Sequence, residues 1–216
     1  MVTKLQFLLA LEAIILASSL SLDALTAGFA YGSNKIKIPF SSAQIINFIC
    51  SGFTGVSLLL GSILKDYIPN KITIGICFTI LFVLGIIKLL DSITKSIIRK
   101  YSGLNKELNF SFFNFKFILK LYADPEKADV DHSKTISAIE AASIAIALSL
   151  DGIAVGFGAA LGNVNGLYVF LFSLITNSVA IFAGHRLGEK IAAKIPFNLS
   201  WLSGVILIAL AFWKLF

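Results

Sequence analysis

Glu12–Phe29, EAIILASSLSLDALTAGF, and Glu140–Phe157, EAASIAIALSLDGIAVGF, are two copies of one segment. At a constant offset of 128 residues, nine of the eighteen positions are identical, among them the runs Leu20–Asp23 and Leu148–Asp151. Both copies are apolar enough for a membrane helix, yet each carries an aspartate near its middle. A carboxylate inside a bilayer is costly, so two at matched places in a duplicated chain mark Asp23 and Asp151 as the centre of a functional site.

Composition places the rest of the chain in lipid as well. It is 57% hydrophobic and 14% charged, with a mean hydropathy of +0.88; soluble domains carry about a quarter charged residues. Six stretches have transmembrane length: Leu5–Tyr31, Ala43–Leu64, Ile72–Leu90, Thr135–Gly162, Leu167–His185 and Leu199–Phe216. The first is too long for a signal-peptide core and no small-residue cleavage site follows it. Cys50 and Cys77 stand singly within spans and read as packing residues.

Basic residues give an orientation. The N-terminus, the second and fourth inter-span loops and the C-terminus hold four Lys or Arg, and the opposite side holds fourteen, Lys88 being counted there. The richer side faces the cytoplasm, with both termini extracytoplasmic. The net charge of +6 is thus an orientation signal and a lipid contact, with no reason to invoke nucleic acid. Halves of three spans enter the membrane in opposite senses. The expected fold is therefore an all-α integral membrane protein, six transmembrane helices forming two inverted three-helix repeats. Residues 1–90 form the first repeat, 91–134 a cytoplasmic connection and 135–216 the second repeat. Fainter echoes, Leu84–Leu90 (LGIIKLL) against Leu210–Phe216 (LAFWKLF) and Leu58–Leu64 against Ile181–Leu187, extend the duplication. Oligomeric state is not legible.

Glu12 and Asp23 are eleven residues apart, as are Glu140 and Asp151. That spacing puts each pair within about 20° on one helix face and about 16 Å apart along the axis. Small residues accompany them: Gly28 and Gly32 on one copy and Gly158 and Gly162 on the other suit close helix approach, as does Gly156, the mate of Gly28. With Ser21, Ser149, Asn47 and Asn177 the carboxylates make an oxygen-rich donor set. Such a set matches hard cations, Mn²⁺, Mg²⁺ or Ca²⁺, better than Cu(I) or Zn²⁺. His185, at the end of the fifth span, reads as an interfacial residue. The competing reading is that the glycines only pack and the carboxylates pair with a lysine or stay protonated.

Asp129–Glu140 (DVDHSKTISAIE) is a second constellation. It follows the twelve-residue EF-hand pattern: Asp129, Asp131, Ser133, the Thr135 carbonyl and Glu140 are the ligands, and Ile136 fills the hydrophobic eighth position. The loop could hold Ca²⁺ or Mn²⁺. Lys134 stands where the pattern wants glycine, at a strain of roughly 1 kcal/mol. The plainer reading is a polar loop in which Asp131 to Ser133 caps the fourth span. Before it, Phe113–Leu121 alternates apolar and polar residues, as a strand or interfacial segment would. Glu140 is claimed twice, as the loop's closing ligand and as the repeat mate of Glu12. Both hold if the loop loads cations that Glu140 passes towards Asp151.

The paired motifs SLDA (Ser21–Ala24) and SLDG (Ser149–Gly152), set in six spans, resemble the MntP family of manganese efflux pumps. The segments Tyr31–Pro39 (YGSNKIKIP) and Asp124–Ser137 (DPEKADVDHSKTIS) resemble its YtaF-type branch of sporulation membrane proteins. The resemblance implies cation efflux across the bacterial inner membrane, with Asp23 and Asp151 as the key polar residues. No nucleophile, phosphate loop or cofactor motif appears, so an enzyme is not expected. Two rivals stay open: a non-transporting scaffold in spore formation, and an exporter of small organic cations or amino acids.

Overall fold

The structure is a computed structural model that describes residues 2–90, 128–129, 131–191 and 200–215. Most of the expected connecting segment, including the alternating stretch 113–121, lies outside the described residues. Among the described residues six helices are present: α1 (Val2–Ser33), α2 (Phe40–Lys65), α3 (Asn70–Leu89), α4 (Ala138–Leu161), α5 (Gly166–Ile191) and α6 (Ser200–Leu215). Among the described residues there is no strand, only an isolated parallel bridge between Lys37 and Thr135.

Prolines start two of the helices. Pro39 and Pro69 stand just outside α2 and α3, with φ of −56° and −57° and extended ψ, and their carbonyls take the first helical N–H groups. A capping box starts α4: Ser137 Oγ accepts from Glu140 N, while the Glu140 carboxylate accepts from Ser137 N. The fourth helix thus begins three residues later than the apolar pattern suggests, and its cap is Ser137 rather than Asp131 to Ser133.

Among the described residues five helices are long and apolar enough to cross a bilayer. The described part of α6 has 16 residues, roughly 24 Å, a little short of a hydrocarbon core. The burial pattern belongs to a membrane protein. Ser19, Asn47, Ser51, Ser57, Ser173 and Asn177 are buried, whereas Phe48, Val56, Leu59, Ile63 and Ile175 face outward. Water would reverse that arrangement; lipid favours it. The chain is a multi-pass membrane protein.

Contact registers fix the helix directions. Leu25 and Phe29 meet Gly184, and Phe29 and Ser33 meet Gly188, so α1 and α5 run parallel. Ser42 bonds Ile136, Cys50 bonds Ala145 and Gly61 meets Ala160, so α2 and α4 run parallel. Gly85 faces Gly204 and Phe78 faces Phe212, so α3 and α6 are antiparallel. Asn47 bonds Leu174 and Gly55 meets Phe170, which makes α2 and α5 antiparallel. It follows that α1 and α4, the two copies of the duplicated segment, point in opposite directions.

Glycines allow the closest of these approaches. A Cβ on Gly28 would stand 2.5 Å from Ile181 O, and one on Gly32, Gly184 or Gly188 would drive into a facing carbonyl. Its mate Gly156 does the same work for α4 on α2, where a Cβ would lie 3.1 Å from Thr54 O. Both candidate glycines are therefore packing residues. Gly52, on the outer face of α2, has open space around it. Gly184→Leu should destabilise the detergent-solubilised protein by about 1–3 kcal/mol, the usual cost of overpacking, as read by its melting temperature. Gly52→Leu should leave that temperature unchanged.

Candidate functional site

The duplicated segments bring Asp23 on α1 and Asp151 on α4 to the same place in the bundle. Between them lies a residue that the spacing argument did not include. Lys88, at the end of α3, is only 4% exposed, and its Nζ sits 2.6 Å from Asp23 Oδ2 and 2.5 Å from Asp151 Oδ2. To Asp151 the contact is also a hydrogen bond, and the other oxygen of that carboxylate accepts from Gly152 N at 2.9 Å. Three charges share one buried cluster, with a formal sum of −1 when all are ionised. Lys88 therefore does not belong with the interfacial basic residues that set orientation. The lysine partner admitted as the plainer reading of the carboxylates is present.

Ser21 and Ser149 behave alike, as repeat mates should. Each donates its hydroxyl to the carbonyl three residues back, Ser18 O and Ile146 O, at 2.9 Å. Asn47 and Asn177 do not join the aspartates through any bond seen here. They meet through Ser51 between α2 and α5: Asn47 Nδ2 donates to Leu174 O, Ser51 Oγ to Asn47 Oδ1, and Asn177 Nδ2 to Ser51 Oγ. His185 bonds Ile36 O at 2.9 Å, closing the end of the α1–α5 pair.

The two glutamates part company despite their identical spacing. Glu12 pairs with Lys214 on α6 at 2.5 Å. Lys214 is the residue that the LGIIKLL and LAFWKLF echo aligns with Lys88, so both halves use that lysine against a carboxylate of α1. Glu140 instead stays with the loop that precedes it. Its ligand oxygen lies within 4.8 Å of those of Asp129 and Asp131. Asp131 Oδ1 accepts from Ser133 N, a bond that holds its carboxyl below the usual carboxylate range. Ser133 Oγ donates to Thr135 O, and Lys134 N donates to Asp129 Oδ2. Lys134 has φ 57°, the left-handed conformation for which the pattern asks glycine.

The family profile described as "Putative manganese efflux pump" matches residues 70–215, a range that takes in Lys88, Asp151 and the loop. The chain belongs to that family. The "Probable sporulation protein YtaF" of Bacillus subtilis is 32% identical over 207 residues, which cover 94% of this chain and 97% of that one. The "Putative manganese efflux pump MntP" of Methanosphaera stadtmanae is 27% identical over 213 residues, covering 94% and 96%. No solved structure matches the chain.

The ammonium of Lys88 and the two carboxylates that flank it form one buried ion cluster. Removing one member of a buried ion cluster leaves uncompensated charge, so Lys88→Met should destabilise the fold by about 3–5 kcal/mol. Adding Asp151→Asn to Lys88→Met should restore part of that loss, because one of the two stranded charges goes with it. Reversible unfolding in mixed micelles measures both; equal stability of the single and double variants would break the assignment of one shared cluster.

Proposed function

We propose that the protein exports a divalent cation, Mn²⁺ foremost, across the bacterial inner membrane, with Asp23 and Asp151 as the ion's carboxylate ligands. The observation that carries this reading is the convergence of two repeat-mate aspartates on one buried ammonium 2.5–2.6 Å away. Lys88 is the resident counter-cation. A divalent ion that takes its place brings the site from −1 to neutral, so ion and ammonium alternate. Carboxylate oxygens suit a hard cation, and the family description names manganese. The same three groups can trade protons, which makes proton exchange the coupling this chemistry favours.

The fold is read as an inverted repeat of two three-helix halves, with α6 as the sixth span. The opposed directions of α1 and α4 support it, as does the equivalence of the α1–α5 and α4–α2 packings. Lys88, buried, and Lys214, half-buried, are held in ion pairs and leave the orientation count, which then stands at thirteen basic residues against three. The cytoplasm stays on the thirteen side, with both termini outside.

The name of the Bacillus relative supports a second reading, a membrane scaffold acting in sporulation without transport. Manganese content separates the two in cells lacking their own exporter and expressing the wild type, Asp23→Asn or Asp151→Asn at matched levels. Export predicts that the wild type lowers cell manganese severalfold and that neither variant does. Unchanged levels of every divalent metal in all three strains would remove the transport reading and leave the scaffold.

A further inference from the structure

We propose that the loop Asp129–Glu140 is a second divalent-cation site, outside the membrane bundle and independent of the transport pathway, built for an ion of Ca²⁺ size. Asp129, Asp131 and Glu140 present ligand oxygens that all lie within 4.8 Å of one another. The Ser133 hydroxyl and the Thr135 carbonyl, joined at 2.9 Å, complete the oxygen set at the spacing of a calcium loop.

The feature that asks for an ion is Asp129. Its side chain is 7% exposed; Oδ2 accepts from Lys134 N, while Oδ1 is buried and has no partner among the described residues. A carboxylate oxygen shut away from water without a donor is costly, and a cation held with Asp131 and Glu140 removes the cost. Two further features agree with a loop shaped for this role. Lys134 holds the left-handed turn at the sixth position, and Ile136, at the eighth, is fully buried. Ser137, at the ninth, caps the helix that Glu140 enters.

The site also faces the right neighbour. Lys37 N donates to Lys134 O, Ile136 N donates to Lys37 O, and Ser42 Oγ donates to Ile136 O. The loop is thereby stitched to the α1–α2 turn, with Tyr31, Ile36, Ala128 and Ile136 in one apolar cluster. A bound ion fixes the entry to α4 against the turn of the other half.

Equilibrium dialysis of the full-length protein in detergent, with ⁴⁵Ca²⁺ and ⁵⁴Mn²⁺, tests this in the Asp23→Asn/Lys88→Met/Asp151→Asn background, which strands no charge in the bundle. That background silences the proposed transport site, so the two readings fail separately. One ion per chain is expected, with Ca²⁺ bound more tightly than Mg²⁺ competes. Asp129→Asn/Asp131→Asn should abolish binding at unchanged helical content. Lys134→Gly, which removes a left-handed side chain and a positive charge beside the ion, should tighten it about fivefold. Absence of saturable binding in the background protein overturns the site. So does binding that survives Asp129→Asn/Asp131→Asn, or a Lys134→Gly affinity no higher than that of the background.

Discussion

Opposite charge held in a medium that cannot solvate it is the constraint on which this bundle depends. Lys88 cannot stay ionised among apolar helices without Asp23 and Asp151, and neither carboxylate can stay ionised without it. The pairing fixes α3 between the duplicated helices. A second ion pair, Glu12 with Lys214, ties α6 to α1. Around these charges the bundle turns its hydroxyls and amides inward and its large apolar side chains outward. The polar interior is therefore a consequence of the solvent as much as of the site.

Much of this was legible in the chain. The duplicated SLD motif located both aspartates because identical charges in matched apolar settings are hard to explain without a role. Hydropathy gave the described helices to within three residues at every end but one, α5 running six residues past His185 to Ile191. Lys88 escaped because, next to a run rich in lysine and arginine, it reads as the basic edge of a span. The signal that could have found it was present: the LGIIKLL and LAFWKLF echo makes Lys88 and Lys214 equivalents, and a duplicated lysine inside apolar sequence merits the argument applied to a duplicated aspartate.

The glutamates show where repeat reasoning stops. Glu12 and Glu140 share a spacing and a face, but only Glu140 has a polar loop before it, and that loop captures the side chain as a cap beside Asp129 and Asp131. Sequence identity between repeats fixes backbone position, and the partner then depends on what the neighbouring segment supplies. The same holds for Asn47 and Asn177, whose helices α2 and α5 pair them with each other. The two segments that carried the likeness to the YtaF-type branch, far apart in sequence, turn out to be bonded to one another through Lys37, Lys134 and Ile136.

The glycine-lined pairing of α1 with α5, matched by that of α4 with α2, means that each half's leading helix finds its closest neighbour in the other half. Neither half can be completed by itself. During synthesis α1 enters the membrane long before α5 exists, with Glu12 and Asp23 still lacking Lys214 and Lys88. Lys88 reaches Asp23 with α3, whereas Glu12 has no Lys214 until the chain is almost finished. Assembly is therefore a late event that gathers both halves at once. By the same logic, the protein cut between α3 and α4 and expressed as two pieces has every packing reason to reunite.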